Sequence, residues 1–196
     1  NIEEYTQGRF KPEGQLASTA VALEEADLGP RVQPTFDVPD LAGQRIGLLL
    51  TPEDCAADRL DPLPTPAGLF AWTEPVKRSV RPTAPAVDAF AAQAVESAVT
   101  ASEARFGLSC VRAEADEPTA DALARWAQDL ALDCIVTPRL PLGPTRKAVH
   151  AACSSQGLTL VEVTRPYDQA VWPHARAGFF GLKKKIPAIL ASLSLA

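Results

Sequence analysis

Methionine is missing from all 196 residues, histidine occurs only twice, and aromatic side chains make up 6% of the chain. The chain opens at Asn1 without an initiator residue or a secretory segment, so the expectation is a piece of a longer protein with a cytoplasmic setting. No apolar run approaches the roughly 18 residues that a membrane-spanning helix needs, and no membrane partner is expected. The four cysteines, Cys55, Cys110, Cys134 and Cys153, include no C-x-x-C pair. They read as buried, reduced thiols behaving as small hydrophobes.

Chemical motifs are equally scarce. No G-x-G-x-x-G follows a strand-like run, and no G-x-x-x-x-G-K-[ST] occurs, so the two commonest phosphate-cradling loops are missing. There is no G-x-S-x-G elbow, and Ser154 and Ser155 fall inside a helical pattern with no histidine and acid arranged around them. His150 precedes Cys153 by three positions on that pattern, which is too few ligands for a metal. His150 therefore reads as structural. The acidic pairs Glu24-Glu25, Glu53-Asp54 and Asp116-Glu117 read as solvated surface rather than as general acid–base pairs.

What is present points to a globular α/β chain. The apolar share is 46%, enough for a core, and the length suits one domain with appendages. A net charge of −5 argues against gripping nucleic acid through the average field, although a local basic patch such as Lys183-Lys184-Lys185 remains. Eighteen prolines, concentrated between Pro30 and Pro85, break up the first half. Residues 1–44 show no globular pattern. An amphipathic stretch over 16–28 followed by Pro30, Pro34 and Pro39 reads as a tether lying on another surface.

From Arg45 the pattern changes. Residues 45–50 (RIGLLL) form a continuous apolar run, as in a strand covered on both faces. Further strands are expected at 68–72, 108–111, 134–137 and 158–163. Between them lie a proline-rich acidic loop (51–66), a second loop (73–85) and three helices. The first helix covers 87–106, with Val87, Phe90, Ala91, Ala94, Val95, Ala98 and Val99 at helical spacing and Gly107 as its stop. The second begins at Thr119 or Asp121, presents Leu123, Trp126, Ala127 and Leu130 on one face, and ends by Asp133. The third runs over 145–156 and closes at Gly157. Alternating strands and helices at these spacings imply βαβ units and a doubly wound, mainly parallel, Rossmann-like sheet of five strands.

Ligands of such sheets bind outside the carboxyl ends of the strands, here around Thr51–Asp54, Thr73–Glu74, Arg112–Asp116, Thr137–Arg139 and Thr164–Tyr167. Gly143-Pro144-Thr145-Arg146 opens a helix after a strand, which suits an anion. Thr137, Arg139, Gly143 and Arg146 are accordingly the candidate cofactor-binding residues; no catalytic or metal-ligating residue is assigned. Trp172, His174, Phe179 and Phe180 either stack on a ring-shaped ligand or anchor the C-terminal tail, and anchoring is the preferred reading. Lys183-Lys184-Lys185 reads as the wet side of an amphipathic C-terminal helix.

Two segments also carry a family resemblance. Residues 1–14, NIEEYTQGRFKPEG, resemble the end of the FAD-binding helical domain in a bacterial branch of the photolyase/cryptochrome family, where a run of the type DNI-x-x-YT-x-GRF-x-P-x-G follows the flavin pocket. Residues 121–187 resemble the second half of the photolyase α/β domain: CIVTPRLPLGP, Arg146, GLTLVEV, Trp172-Pro173-His174, then GFFGLKKKIP to Pro187. In that branch the flavin domain comes first and the α/β domain follows. Family members often have Arg-Asp after the fourth strand, where this chain has Arg146-Lys147, and the proline loops 51–66 and 73–85 are not typical of them.

The resemblance implies that residues 1–44 are the tail of a preceding FAD-binding helical domain plus linker, and that 45–196 form a photolyase-like α/β domain. It implies FAD in the parent chain, damaged DNA as the parent's partner, and light-dependent splitting of pyrimidine dimers or cryptochrome-like photoreception. The flavin contacts would lie in the preceding domain, so this segment would be a non-catalytic scaffold or antenna domain, with a second antenna chromophore left open. The residues alone leave two other readings: a stand-alone nucleotide-binding module, or an interaction domain without a ligand.

Overall fold

A computed structural model describes residues 2–15, 19, 22, 29, 35–36, 39–73, 82–176 and 178–195. Most of the amphipathic stretch expected at 16–28, and residues 74–81 of the loop expected at 73–85, lie outside them. The chain divides into two compact units, Asn1–Gln33 and Pro34–Ala196. In the first, helix α1 (Ile2–Tyr5) is closed by the Thr6 hydroxyl, which donates to the Ile2 carbonyl at 2.8 Å. Lys11 pairs with Glu3 at 3.4 Å.

The second unit is built on a parallel sheet of five strands: β1 (Ile46–Leu50), β2 (Gly68–Ala71), β3 (Cys110–Val111), β4 (Cys134–Pro138) and β5 (Leu160–Val163), in the order β3-β2-β1-β4-β5. The chain starts in the middle, winds to one edge, returns past β1 and winds to the other. The fold is thus the doubly wound α/β class expected from the alternation of elements. The crossovers supply α2 (Pro85–Phe106), α3 (Thr119–Asp129) and α4 (Pro144–Ser155). After β5 come short helices α5 (Pro166–Val171), α6 (Gly178–Lys183) and α7 (Ile186–Ser192).

Side chains of β1 alternate between two cores, as the two-residue period of a strand requires. Leu48 and Leu50 face a cluster with Val95 and Val99 of α2 and with Ala57 and Leu60 of a short 3-10 turn in the loop after β1. Leu49 faces Leu123 and Trp126 of α3 and Val149 and Cys153 of α4. Every residue of β1, β2 and β4 is buried, which fits their nearly uninterrupted apolar runs. The edge strands β3 and β5 are only half buried.

Two glycines set the closeness of α3 to the sheet. Gly47 and Gly68 are register partners on adjacent strands. A Cβ on Gly47 would stand 2.3 Å from the Trp126 ring and 2.4 Å from Leu132; one on Gly68 would stand 2.4 Å from Leu130 and 3.0 Å from Trp126 Nε1. The pair leaves a flat floor on which the indole lies, tilted against Phe70 at 5.4 Å.

The described elements depart from the sequence expectation in four places. Helix α2 has the expected span and stops at Gly107, which takes φ 67° and caps Glu103 at 2.8 Å. Only Val95, Ala98, Val99 and Ser102 of it are buried, whereas Phe90 is 73% exposed and Val87 is exposed as well. Burial is thus confined to its second half, from Val95 onward. Helix α3 ends at Asp129, earlier than Asp133, because Ala131 takes φ 46°. The amphipathic C-terminal helix is two short helices, with Phe179 and Phe180 62% and 77% exposed, so the expected anchoring of these aromatics does not occur. The strands β3 and β5 are shorter than expected: their pairing begins at Cys110 and Leu160.

Candidate functional site

The winding direction reverses between β1 and β4, and their carboxyl ends open the crevice where a ligand would sit. Thr51 to Asp54 line one side and Pro138 to Leu140 the other. Glu53 and Asp54 are half buried here, not solvated as the sequence suggested. The Thr145 hydroxyl donates to Glu53 Oε1 at 2.6 Å. Thr145 lies in the first turn of α4, so a carboxylate of the chain itself occupies the positive end of that helix. Asp54 is held by a fork from Arg165, whose Nη1 donates to Oδ2 and whose Nη2 donates to Oδ1 at 2.9 Å, with a further bond to the Ala56 carbonyl at 2.7 Å. The bonds to Asp54 raise the Arg165 guanidinium above its ordinary value, and burial opposes them.

The four residues singled out from sequence go to different places. Thr137 is fully buried within β4, and its hydroxyl has no hydrogen-bond partner among the described residues. Gly143 is the N-cap of α4 in extended backbone (φ 167°), a conformation that does not require glycine. Arg139 and Arg146, by contrast, line one pocket of about 360 Å³, together with His150, Glu162 and Thr164. Arg146 turns toward β5, where Nε and Nη2 fork onto Glu162 Oε1 and Oε2, each at 3.0 Å. His150, one turn along α4, meets Glu162 Oε1 at 3.0 Å. Burial pushes the Glu162 carboxyl up, but the bonds from Arg146 and His150 together outweigh it and hold it below the usual carboxylate range.

Arg139 forms the wall between this pocket and a smaller one of about 200 Å³ that includes Asp54, Arg165, Asp168 and Trp172. Its guanidinium lies 5.8 Å from the Phe36 ring and 5.5 Å from the Trp172 ring, which are themselves stacked at 5.9 Å. Nη1 donates to the Thr35 carbonyl at 3.0 Å, and no carboxylate pairs with it among the described residues. The two rings hold the cation in place without neutralising it.

A wider trough of about 710 Å³ lies past β2 and β3, between Trp72, the start of α3 and the alanines of α4. Glu114 and Glu117 line it, and Arg125 forks onto Glu117. Among the described residues no group of three His, Cys, Asp or Glu side chains is placed to hold a metal. No helix among them is long and apolar enough to cross a membrane.

Sequence reasoning missed Asp54, Arg165, His150 and Glu162 as parts of one polar region. For Asp54 and Arg165 no local signal exists, because the two are 111 positions apart. For the others a signal was present: Arg146 and His150 are spaced i, i+4 on one helix face, and Glu162 is the lone charge in an edge strand reading LVEV.

The fold and site define an α/β module with a basic pocket beside its switch point. Searches of family models, curated protein sequences and solved structures return no match to this chain.

Proposed function

We propose that the chain is the C-terminal part of a photolyase-like FAD-binding flavoprotein, in which the α/β unit serves as a scaffold or antenna domain. The observation that carries this reading is the motif NIEEYTQGRFKPEG at residues 1–14, on the same chain as a doubly wound α/β body of the kind the resemblance implies. The acids nearest the crevice support a non-catalytic role for this segment. Asp54, Glu53 and Glu162 are bound by Arg165, Thr145 and Arg146, so they hold the structure together rather than stand ready to move a proton. FAD would be held by the domain before residue 1, and damaged DNA would be met by the whole protein.

The experiment is illumination of the protein, with all that its gene encodes before Asn1, in the presence of a pyrimidine-dimer oligonucleotide. Loss of dimers in light but not in darkness is the expected result. Equal dimer content in light and darkness contradicts the repair form of the reading.

An interaction domain without a ligand is the second reading, favoured by the exposed Phe90, Phe179 and Phe180. It requires that Phe179→Ser with Phe180→Ser abolishes association with a partner and leaves Tm unchanged.

A further inference from the structure

We propose that the pocket between β5, α4 and the loop after β4 binds a compact oxyanion, of the phosphate or carboxylate class, through Arg139 and Arg146. This goes beyond the flavoprotein reading and does not depend on it. The pocket, at about 360 Å³, lies within the roughly 300–1,000 Å³ range of small-molecule sites. Among the described residues, two arginines and a histidine line it against a single carboxylate, Glu162. The chain as a whole carries −5, so this excess of positive charge is local and runs against the average.

The donors are not used up. Glu162 takes Nε and Nη2 of Arg146, leaving Nη1. Arg139 has spent only Nη1, on a backbone carbonyl, and its Nε and Nη2 bond to nothing among the described residues. Its guanidinium is packed against the Phe36 and Trp172 rings, at 5.8 and 5.5 Å, so little side-chain freedom is lost when an anion arrives. Planar guanidinium donors match the paired oxygens of a phosphate or carboxylate. The neighbouring anion position, at the first turn of α4, is already filled by Glu53. An incoming anion is therefore directed to the β5 side.

Glu162 competes for the same donors. Its removal releases two nitrogens of Arg146 and the His150 ring to the pocket. Anion affinity should then rise, an outcome that a merely structural role for this cluster does not produce.

Calorimetric titration of the 196-residue chain with inorganic phosphate, and separately with succinate, at ionic strength held constant with sodium chloride, tests the proposal. Saturable binding of phosphate assigns the phosphate class and saturable binding of succinate the carboxylate class; either supports the site. Arg139→Gln should weaken binding about tenfold or more, the scale of a lost charged hydrogen-bonding partner. Among the described residues Arg139 hydrogen-bonds through its side chain only to the Thr35 carbonyl, so this variant is expected to fold. Glu162→Gln should tighten binding, and an affinity at or below the parent's contradicts the placement of Arg146 in the site. Arg125→Gln, which alters an arginine paired with Glu117 outside the pocket, should bind as the parent does. Absence of saturable binding by both probes, or equal losses in Arg139→Gln and Arg125→Gln, overturns the proposal.

Discussion

Cys55 is the exposed thiol, while Cys134 and Cys153 are buried and Cys110 half buried. Burial pushes Cys110 and Cys153 up to about 11, so at neutral pH almost none of either is thiolate. Burial also raises Cys134, with the Asp133 charge adding to it. Alkylation at pH 8 followed by peptide mass mapping should label Cys55 first, and the other three only once the chain unfolds. Equal labelling of all four in the native protein would contradict this packing. The sequence placed Cys110 and Cys134 on strands and Cys153 on a helix, and burial there follows from the apolar neighbours of each. Exposure of Cys55 depends on how a proline-rich loop lies, which no periodicity records.

Glu162 is a second residue whose surroundings set a measurable property. Its folded carboxyl lies below the ordinary value, so its contribution to stability is complete above the unfolded pKa of about 4.3 and disappears as pH falls through the folded value. Urea titrations of the parent and Glu162→Gln should therefore differ by about 1–2 kcal/mol at pH 7, as expected for a charged hydrogen-bonded pair. The gap should begin to narrow as pH falls to about 4.3, where the unfolded carboxyl takes up its proton, and should close only below the lower, folded pKa. A gap independent of pH would mean that Arg146 and His150 do not hold the carboxylate. The i, i+4 spacing of those two residues was visible in the sequence. Their convergence on β5 was not, because it depends on which strand lies beside α4.

Among the elements, α3 and the β1–β2 pair are the most tightly specified. Gly47→Ala or Gly68→Ala must displace an indole that is locked between the sheet and α3, or move the helix. Either should cost about 1–3 kcal/mol, the range for overpacking a core, seen as a lower urea midpoint with an unchanged slope. A glycine in a strand reads from sequence as a weakness, and only the register Gly47 to Gly68 reveals a shared platform.

Helix α2 makes the opposite point. Its seven apolar positions at helical spacing implied one continuous buried face, but burial begins at Val95. Helical periodicity shows which face is apolar and says nothing about how far the sheet beneath extends. Phe90→Ser should leave stability within about 0.5 kcal/mol. Val95→Ala should cost about 2 kcal/mol by emptying part of a core contact. Equal losses would mean that α2 is covered along its whole length.

At the scale of the molecule, strand order follows from a few regularities: apolar runs as buried strands, helices between them, and parallel crossovers. These made the five-stranded doubly wound sheet readable, along with the position of Arg139 and Arg146 near the carboxyl ends of its strands. Arg139 was legible as a residue just past a strand, and Arg146 as one in the first turn of a helix. Their placement against the same pocket depends on β5 lying outside β4, a pairing of residues such as Ile135 with Leu160 that no local pattern contains. The trough past β2 and β3 was likewise invisible, since it is made by three alanines of α4 facing the start of α3.

Membership of this α/β unit in a photolyase-like flavoprotein is proposed on the strength of residues 1–14. The most direct measurement is the absorption spectrum of the purified protein containing this chain together with all that its gene encodes before Asn1, followed by release and identification of any bound chromophore. Stoichiometric FAD in that protein, and none in residues 45–196 alone, is the expected result. A folded protein that carries no flavin and takes up none when FAD is supplied would contradict it.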